Sequence, residues 1–143
     1  MLIHFLRTLI LAAIVVLLMA LSDPLKTDAQ EGEWQAPAWA DDLANPYAND
    51  ESTLKNGGEQ FEIYCSPCHG HEGKGDGAAG VGLPVKPKDF SSPDVMQQSD
   101  GALFWKLNTG RGNMVPYELL LPENVRWQLI TYVRFLGEKH SDD

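Results

Sequence analysis

The stretch Cys65-Ser66-Pro67-Cys68-His69 decides how this chain folds, because it joins both cysteines of the sequence directly to a histidine. Two cysteines three positions apart, with histidine next, form the pattern of covalent haem attachment. Each thiol adds to one vinyl group of a porphyrin, and cysteines about one helical turn apart reach both vinyl groups. The imidazole that follows then lies under the iron as its proximal ligand. We therefore expect Cys65 and Cys68 to hold one haem and His69 to ligate its iron.

Three other chemistries fit the motif less well. A structural zinc site needs four ligands, and the other histidines, His4, His71 and His140, are not paired along the chain. A redox dithiol expects a strand before the motif and a βαβ arrangement around it, whereas the sequence here is helical before and glycine-rich after. A disulfide across three residues would gain little loop-closure entropy.

The charge of the chain excludes some partners. The formal net charge is −9 and the pI is about 4.7, which argues against nucleic acid or an anionic membrane surface as a partner. Residues 30–62 carry eight acidic side chains against Lys55. Five basic residues follow the motif, and they either surround the haem or are scattered over the surface: Lys74, Lys86, Lys88, Lys106 and Arg111.

Residues 1–29 are predicted to be a signal peptide or a membrane anchor. Arg7 precedes an unbroken apolar run from Leu9 to Leu21, which has the size of a signal-peptide core. Counted from Leu2, the apolar segment 2–21 is also compatible with a spanning helix. In both cases we expect the chain after Pro24 to be exported, and the protein to be periplasmic or anchored to the inner membrane facing the periplasm.

Residues 30–53 are predicted to form an acidic connector with an unusual content of aromatic residues. Trp34, Trp39 and Tyr47 lie here among prolines, whereas a merely flexible tether would be poor in aromatic rings. These rings pack either on the chain's own domain or on a partner subunit. Residues 54–143 are predicted to be one globular domain.

Helical spacing in this domain predicts an all-α fold. A helix over Leu54–Tyr64 delivers the cysteine motif from its end, and Gly57 on its face calls for the close approach of another helix. A shorter helix is predicted over Gly101–Asn108, and a last helix starts at Pro122 and offers Tyr132 as the partner of Gly57. The loops between are rich in Gly and Pro, and their glycines are expected to let the backbone pass close to a large flat ligand.

Over roughly residues 54–137 the chain resembles a class I c-type cytochrome. The resemblance rests on the haem motif of residues 65–70, Gly57 with Phe61 in the first helix, Trp127 with Tyr132-Val133-Arg134 in the last, and the methionine loop Gly110-Arg111-Gly112-Asn113-Met114. Residues 86–90 and the extension from Trp34 to Tyr47 further resemble small exported cytochromes of multisubunit respiratory oxidoreductases. The resemblance implies the class I cytochrome c fold around one covalently bound haem c.

The resemblance favours Met114 as the distal iron ligand. The family commonly has proline directly after this methionine, whereas Val115 intervenes here. From the residues alone, Met96, His71, His140 or an open sixth position remain alternatives, and Met114 could be a plain core methionine.

Further haem contacts are expected around the porphyrin. Arg111, Trp105 or Lys106 would neutralise the haem propionates, or else are ordinary surface or core residues. Pro84 or Pro87 would offer the backbone carbonyl that orients the ligating imidazole, the usual support of a metal-bound histidine.

A haem iron with histidine and thioether ligands implies electron transfer rather than catalysis, so the chain is not expected to be an enzyme. We expect a one-electron carrier that works outside the inner membrane between respiratory partners such as a quinol-oxidising complex, a dehydrogenase or a terminal oxidase. One alternative is a fixed haem c subunit of a larger oxidoreductase, held through the aromatic connector. Another is a haem enzyme or gas sensor with an open iron site.

Overall fold

The computed structural model describes residues 33–48 and 50–140, together with His4 and Arg7. The chain divides after Gly32 into two compact units. The predicted signal peptide or anchor falls in the first unit and, apart from His4 and Arg7 in helical backbone, lies outside the described residues. Within the described part of the chain, no helix is long and apolar enough to cross a membrane.

The second unit is helical, which confirms the predicted class for the residues described. Its α-helices are α1 (Leu54–Tyr64), α2 (Ser66–His69), α3 (Pro93–Met96), α4 (Asp100–Thr109) and α5 (Glu123–Lys139). Short 3-10 helices at Ala38–Asp42 and Glu51–Thr53 precede α1. Among the described residues there is no strand, only an isolated antiparallel bridge between Arg111 and Met114.

Helices α1 and α5 cross with their backbones in contact, as the pairing of Gly57 with Tyr132 predicts. A Cβ atom placed on Gly57 would lie 2.6 Å from the carbonyl oxygen of Gln128 and 3.1 Å from Tyr132 Cβ. Phe61, one turn further along α1, is fully buried in the same interface together with Leu129 of α5. Only glycine permits this approach, so the crossing fixes where α1 ends and where the cysteine motif begins.

Helix α4 closes the other side of the core. It begins after Ser99, whose Oγ accepts a hydrogen bond from the backbone N–H of Ala102 at 3.0 Å, and it ends at Gly110, which has φ of 62°. The Phe104 ring stacks on Trp127 of α5 with ring centroids 3.7 Å apart. A cap at each end and a stacked aromatic pair between helices give α4 a defined position, from which the methionine loop departs.

The described part of the predicted connector packs on the chain's own domain. Ala40 is fully buried, and the Asn45 side chain donates to Asp100 Oδ2 at 2.8 Å and to Thr131 Oγ1 at 3.2 Å. Thr131 Oγ1 in turn donates to the carbonyl oxygen of Tyr47 at 3.1 Å. Of the aromatic rings in this segment, Trp39 is 57% exposed. The compact second unit accordingly begins at Glu33, well before α1.

Replacement of Gly57 by alanine should destabilise the fold, although alanine is the better helix former. The new methyl group would meet the backbone of α5, which cannot move without shifting the whole helix, so we expect a loss of about 1–3 kcal/mol in the free energy of unfolding. Gly82→Ala is the matched control, because a Cβ there meets no atom within 4 Å. Denaturant titration of both variants measures the difference, and equal midpoints would contradict the close crossing.

Candidate functional site

The cysteine motif continues directly from the end of α1. The N–H of Cys65 donates to the carbonyl oxygen of Phe61 at 2.8 Å, and the N–H of His69 donates to the carbonyl oxygen of Cys65 at 2.8 Å. Ser66 is buried and its hydroxyl donates to the carbonyl oxygen of Glu62 at 2.9 Å. These bonds tie α2 to α1, so the orientation of both cysteines follows from the α1–α5 crossing.

The pKa of the Cys65 thiol is too high for a reactive redox dithiol. Burial, and then the nearby Cys68, raise its pKa from 9.0 to about 12. Reactive dithiols owe their chemistry to a lowered thiol pKa, since the thiolate is the nucleophile. The environment of Cys65 therefore argues further against a thioredoxin-like function.

The glycine-rich loop after the motif supports the backbone of α2. The N–H of Ala79 donates to the carbonyl oxygen of Pro67 at 2.9 Å. Cβ atoms built on Gly77 and Gly80 would lie 2.5 Å from the carbonyl oxygens of Pro67 and Cys68, respectively. For Gly77 and Gly80, the close approach is to the backbone of the cysteine motif, which by itself requires glycine at both positions. The approach of the loop to a flat ligand stays a prediction.

His69 is held in place from one side. Its Nδ1 lies 3.4 Å from the carbonyl oxygen of Lys88, and its ring stacks on Phe90 with centroids 4.6 Å apart. Burial lowers the pKa of His69, and the Lys88 carbonyl opposes this shift. With Nδ1–H donating to a carbonyl, Nε2 is left as the metal-binding nitrogen. The carbonyl expected from Pro84 or Pro87 is in fact that of Lys88, the residue after Pro87.

The two methionines outside the leader lie in different surroundings. Met114 is half-buried in a turn closed by two backbone hydrogen bonds with Arg111, at 2.9 and 3.0 Å, and it packs against the core. Met96 packs against α5 instead, where a Cβ on Gly137 would lie 2.5 Å from its sulfur and 2.8 Å from the carbonyl oxygen of Phe90. Because the Phe90 ring stacks on His69, Met96 lies on the side of the proximal histidine.

The other candidate ligands are engaged elsewhere. His71 is on the surface, with Nδ1 2.6 Å from Glu62 Oε2 and the side chain 82% exposed. His140 is buried directly after the end of α5. Met114 thus remains the candidate on a loop that begins at α4 and passes the cysteine motif.

Tyr117 joins the methionine loop to the motif, and nothing in its sequence position indicated this. Its side chain is buried, and its hydroxyl donates to the carbonyl oxygen of Tyr64 at 2.8 Å. Burial, followed by the nearby Cys65 and Cys68, raises the pKa of Tyr117 from 10.0 to about 12. The phenol therefore lies close to both thiols.

Three basic side chains, Lys106, Arg111 and Lys88, lie near one another, and the carbonyl of Lys88 is the one that contacts His69. Burial lowers the pKa of Lys106, and repulsion from Arg111 and Lys88 adds to this shift, while Glu33 opposes it. The Lys106 ammonium also lies 5.5 Å from the centre of the Trp34 ring. Trp105 is half-buried and directly precedes Lys106 on α4. The electrostatic coupling brings Arg111 and Lys106 together and does not include Trp105.

These features fit a haem. Two cysteines one turn apart and an imidazole with a free Nε2 match its attachment and proximal ligation. A cluster of mutually repelling cations suits a group with two carboxylates, because the anions would relieve the repulsion. Large apolar side chains near the motif and the methionine loop are exposed, as expected for residues that border a large apolar group: Ile63, Tyr64, Val81, Val115 and Leu119.

The model of one protein family, described as cytochrome c oxidase, cbb3-type, subunit III, matches residues 52–133, more than half of the chain. No curated protein sequence matches the chain. Among solved structures, a chain of the reducing HAO-like protein complex of Kuenenia stuttgartiensis is 27% identical with a TM-score of 0.56, over 66% of this chain and 49% of that one. The chain thus spans about half the length of that neighbour.

A second solved structure shows the same fold. Cytochrome cL from the marine methylotrophic bacterium Methylophaga aminisulfidivorans is 22% identical with a TM-score of 0.52, and the match covers 76% of this chain and 71% of that chain. At this identity the likeness concerns the fold alone.

Replacement of Tyr117 by phenylalanine should make the free energy of unfolding less sensitive to high pH. Burial is the largest cause of the raised pKa of Tyr117, and it persists when both cysteines are uncharged thioethers. The phenol therefore stabilises the fold fully below pH 10, and this contribution is lost as the pH rises through the higher pKa of the folded protein. Over that range the free energy of unfolding should fall more steeply in the wild type than in Tyr117→Phe. Urea titrations at several pH values measure the slopes. Tyr64→Phe keeps the Tyr117 hydroxyl and removes only the smallest cause of its raised pKa, so its slope should stay close to that of the wild type. A wild-type slope in Tyr117→Phe would contradict the prediction.

Proposed function

We propose that this chain, which belongs to the c-type cytochrome family described as cytochrome c oxidase, cbb3-type, subunit III, shuttles single electrons between respiratory partners outside the inner membrane. Members of this family carry covalently bound haem c and transfer electrons through it. When bound, the haem alternates between ferric and ferrous iron and so carries one electron at a time. The observation that supports the carrier function is that both proposed iron ligands are restrained: the His69 ring by the Lys88 carbonyl, and Met114 by a turn whose loop is bonded to the residue before Cys65.

Each side chain of the proposed site has a separate task. Cys65 and Cys68 hold the porphyrin edge through thioethers, and α2 fixes their spacing. His69 supplies Nε2, kept in orientation by the Lys88 carbonyl and the Phe90 ring. A ligand held this firmly changes position little when the iron changes charge, which favours rapid electron transfer.

Met114 is the proposed distal ligand. Met96 packs against Gly137, which also approaches the backbone of Phe90, and the Phe90 ring stacks on His69. Met96 would therefore lie on the His69 side of a bound haem, where a second ligand would not be needed. The turn that carries Met114 starts at Gly110, where φ is 62° and a Cβ would lie 2.4 Å from the carbonyl oxygen of Met114. A neutral thioether favours ferrous iron and raises the reduction potential, as a carrier in a respiratory chain requires.

The edge of the site beside the cysteines is the proposed exit for electrons. The loop after the motif and the loop after Met114 both carry exposed apolar side chains: Val81 is 68%, Val85 75% and Leu119 95% exposed. Lys86 and Lys88 are exposed in the first of these loops. Such a surface, apolar with a few charges at its border, suits brief contact with a redox partner.

Export and the identity of the partners belong to the same proposal. Covalent haem attachment takes place on the outer side of the inner membrane, which agrees with the leader-like segment of residues 1–29. The aromatic rings of the connector would be the contacts of a fixed subunit. Trp34 and Tyr47 pack on the chain's own domain instead, and Trp39 is the exposed ring. The free or membrane-anchored carrier is therefore the function that we favour.

The carrier function is tested by the mass and the visible spectrum of the protein made with its haem. The intact mass should show one haem added, and Cys65→Ser with Cys68→Ser should abolish the addition. The ferric protein should show the weak red charge-transfer band of thioether-ligated iron. Met114→Ala should lose this band completely and bind carbon monoxide readily in the ferrous state, because a ligand position opens.

Met96→Ala is the matched control for this experiment and should keep the band. Loss of the band in Met96→Ala, with its survival in Met114→Ala, would move the ligand to Met96. A wild type with a high-spin spectrum and ready binding of carbon monoxide would instead favour the open-site enzyme or sensor.

Removal of the Lys106 charge should lower the reduction potential. The cation cluster includes Lys88, whose carbonyl supports His69, so its positive charge disfavours ferric iron. We expect Lys106→Gln to make reduction less favourable by roughly 1 kcal/mol, the Coulomb energy of one partly solvated charge. Lys55→Gln, whose side chain is 88% exposed on α1, is the control and should have little effect. Spectroelectrochemical titration measures both, and an unchanged potential in Lys106→Gln would contradict the position of the cluster.

A further inference from the structure

Tyr117 is a buried polar side chain that the proposed coordination does not use. Its side chain is 8% exposed, and its hydroxyl hydrogen bond of 2.8 Å ends on the carbonyl oxygen of Tyr64. Tyr64 is the last residue of α1 and directly precedes Cys65. The bond therefore ties the segment after Met114 to the residue just before the first cysteine. The two bonded residues are 53 positions apart in the sequence.

The backbone of Tyr117 is attached as firmly as its side chain. Its N–H donates to the carbonyl oxygen of Leu107 in α4 at 3.0 Å, and its carbonyl oxygen accepts from Leu120 and Leu121 at 3.1 Å. The rings of Tyr117 and Tyr64 also meet edge to face, with centroids 6.2 Å apart. Tyr117 is thus a point at which α4, the methionine loop and the end of α1 meet.

The residues between Met114 and Tyr117 carry less restraint. Val115 and Pro116 are both exposed, and Pro116 has no N–H to donate. Three residues of chain reach about 10 Å when extended, so the place of Tyr117 limits the place of Met114. The Tyr117 hydroxyl bond to Tyr64 therefore restrains the position of Met114 relative to the cysteine motif.

We propose that Tyr117 is a positioning residue that keeps Met114 at the iron by holding the methionine loop against the end of α1. This inference rests on the proposed function, because it takes Met114 as the distal ligand. The loop has two states, with the sulfur bound or displaced, and the hydroxyl bond stabilises the first. Its removal shifts the population towards the displaced state without touching any ligand.

The test is Tyr117→Phe in the haem-loaded full-length protein, since phenylalanine keeps the ring and removes the hydroxyl. We expect the charge-transfer band to remain at neutral pH, while carbon monoxide binds the ferrous form about fivefold faster, the factor by which one ordinary hydrogen bond changes an equilibrium. Tyr64→Phe is the matched control. It leaves the accepting carbonyl in place and should bind carbon monoxide at the wild-type rate.

The outcomes separate this inference from the proposed function. A wild type without the thioether band would overturn the ligation by Met114, and the positioning role with it. A wild type with the band, and equal rates in Tyr117→Phe, would overturn the positioning role alone. An equal rise in both tyrosine variants would show that the effect does not depend on the hydroxyl bond of Tyr117 and would also overturn it.

A second measurement does not depend on the variant folding. In the diamagnetic ferrous wild type, the hydroxyl proton of Tyr117 should exchange slowly enough to be seen by NMR, with a nuclear Overhauser effect to the Cα proton of Cys65, which lies on the same side of the peptide bond as the accepting carbonyl. A hydroxyl proton lost to rapid exchange with water would overturn the inference.

Discussion

A porphyrin attached through two thioethers is rigid, and its position is set by the helix end that carries the cysteines. Every other residue that contacts the haem has to be positioned relative to that helix end. Cys65 begins where α1 stops, and α1 is placed by the backbone contact between Gly57 and α5. The segments that support the site all converge on this point. The glycine loop holds the carbonyls of α2, Lys88 accepts from His69, and Tyr117 donates to Tyr64. The structure is an arrangement of loops around a helix terminus, in which the helices serve mainly to hold that terminus still.

This arrangement explains how a small domain manages with a limited apolar core. A domain of this size buries a modest fraction of its surface, and a covalently held apolar group adds interior that the sequence does not have to supply. The fully buried large side chains, Phe61 and Leu129, lie at the α1–α5 crossing rather than near the methionine loop. Near the motif and that loop, apolar residues such as Val115 and Leu119 are exposed. The protein therefore concentrates its own packing where α1 is fixed and leaves the loops to border the haem.

The sequence was informative where chemistry or local spacing determines the outcome. The haem motif, the helical class and the pairing of Gly57 with Tyr132 follow from residue type and from the period of a helix. The support of His69 was placed at Pro84 or Pro87, and it is Lys88, because the path of a loop decides which of several equivalent carbonyls points inward. Tyr117 escaped notice for a similar reason. Its partner is the backbone carbonyl of Tyr64, and every residue has such a carbonyl, so residue type does not reveal the contact.

Residues 33–51 take part in the electrostatics of the site, although they precede the residues 52–133 that match the family. Lys106 is desolvated and is repelled by Arg111 and Lys88, and both effects favour loss of its proton. Glu33 opposes them, and the Trp34 ring offers its electron-rich face to the ammonium. An acidic, aromatic extension that packs here keeps a cation charged where an anionic haem substituent would need it. The composition of residues 33–53 is thus explained in part by this domain itself, before any partner is considered.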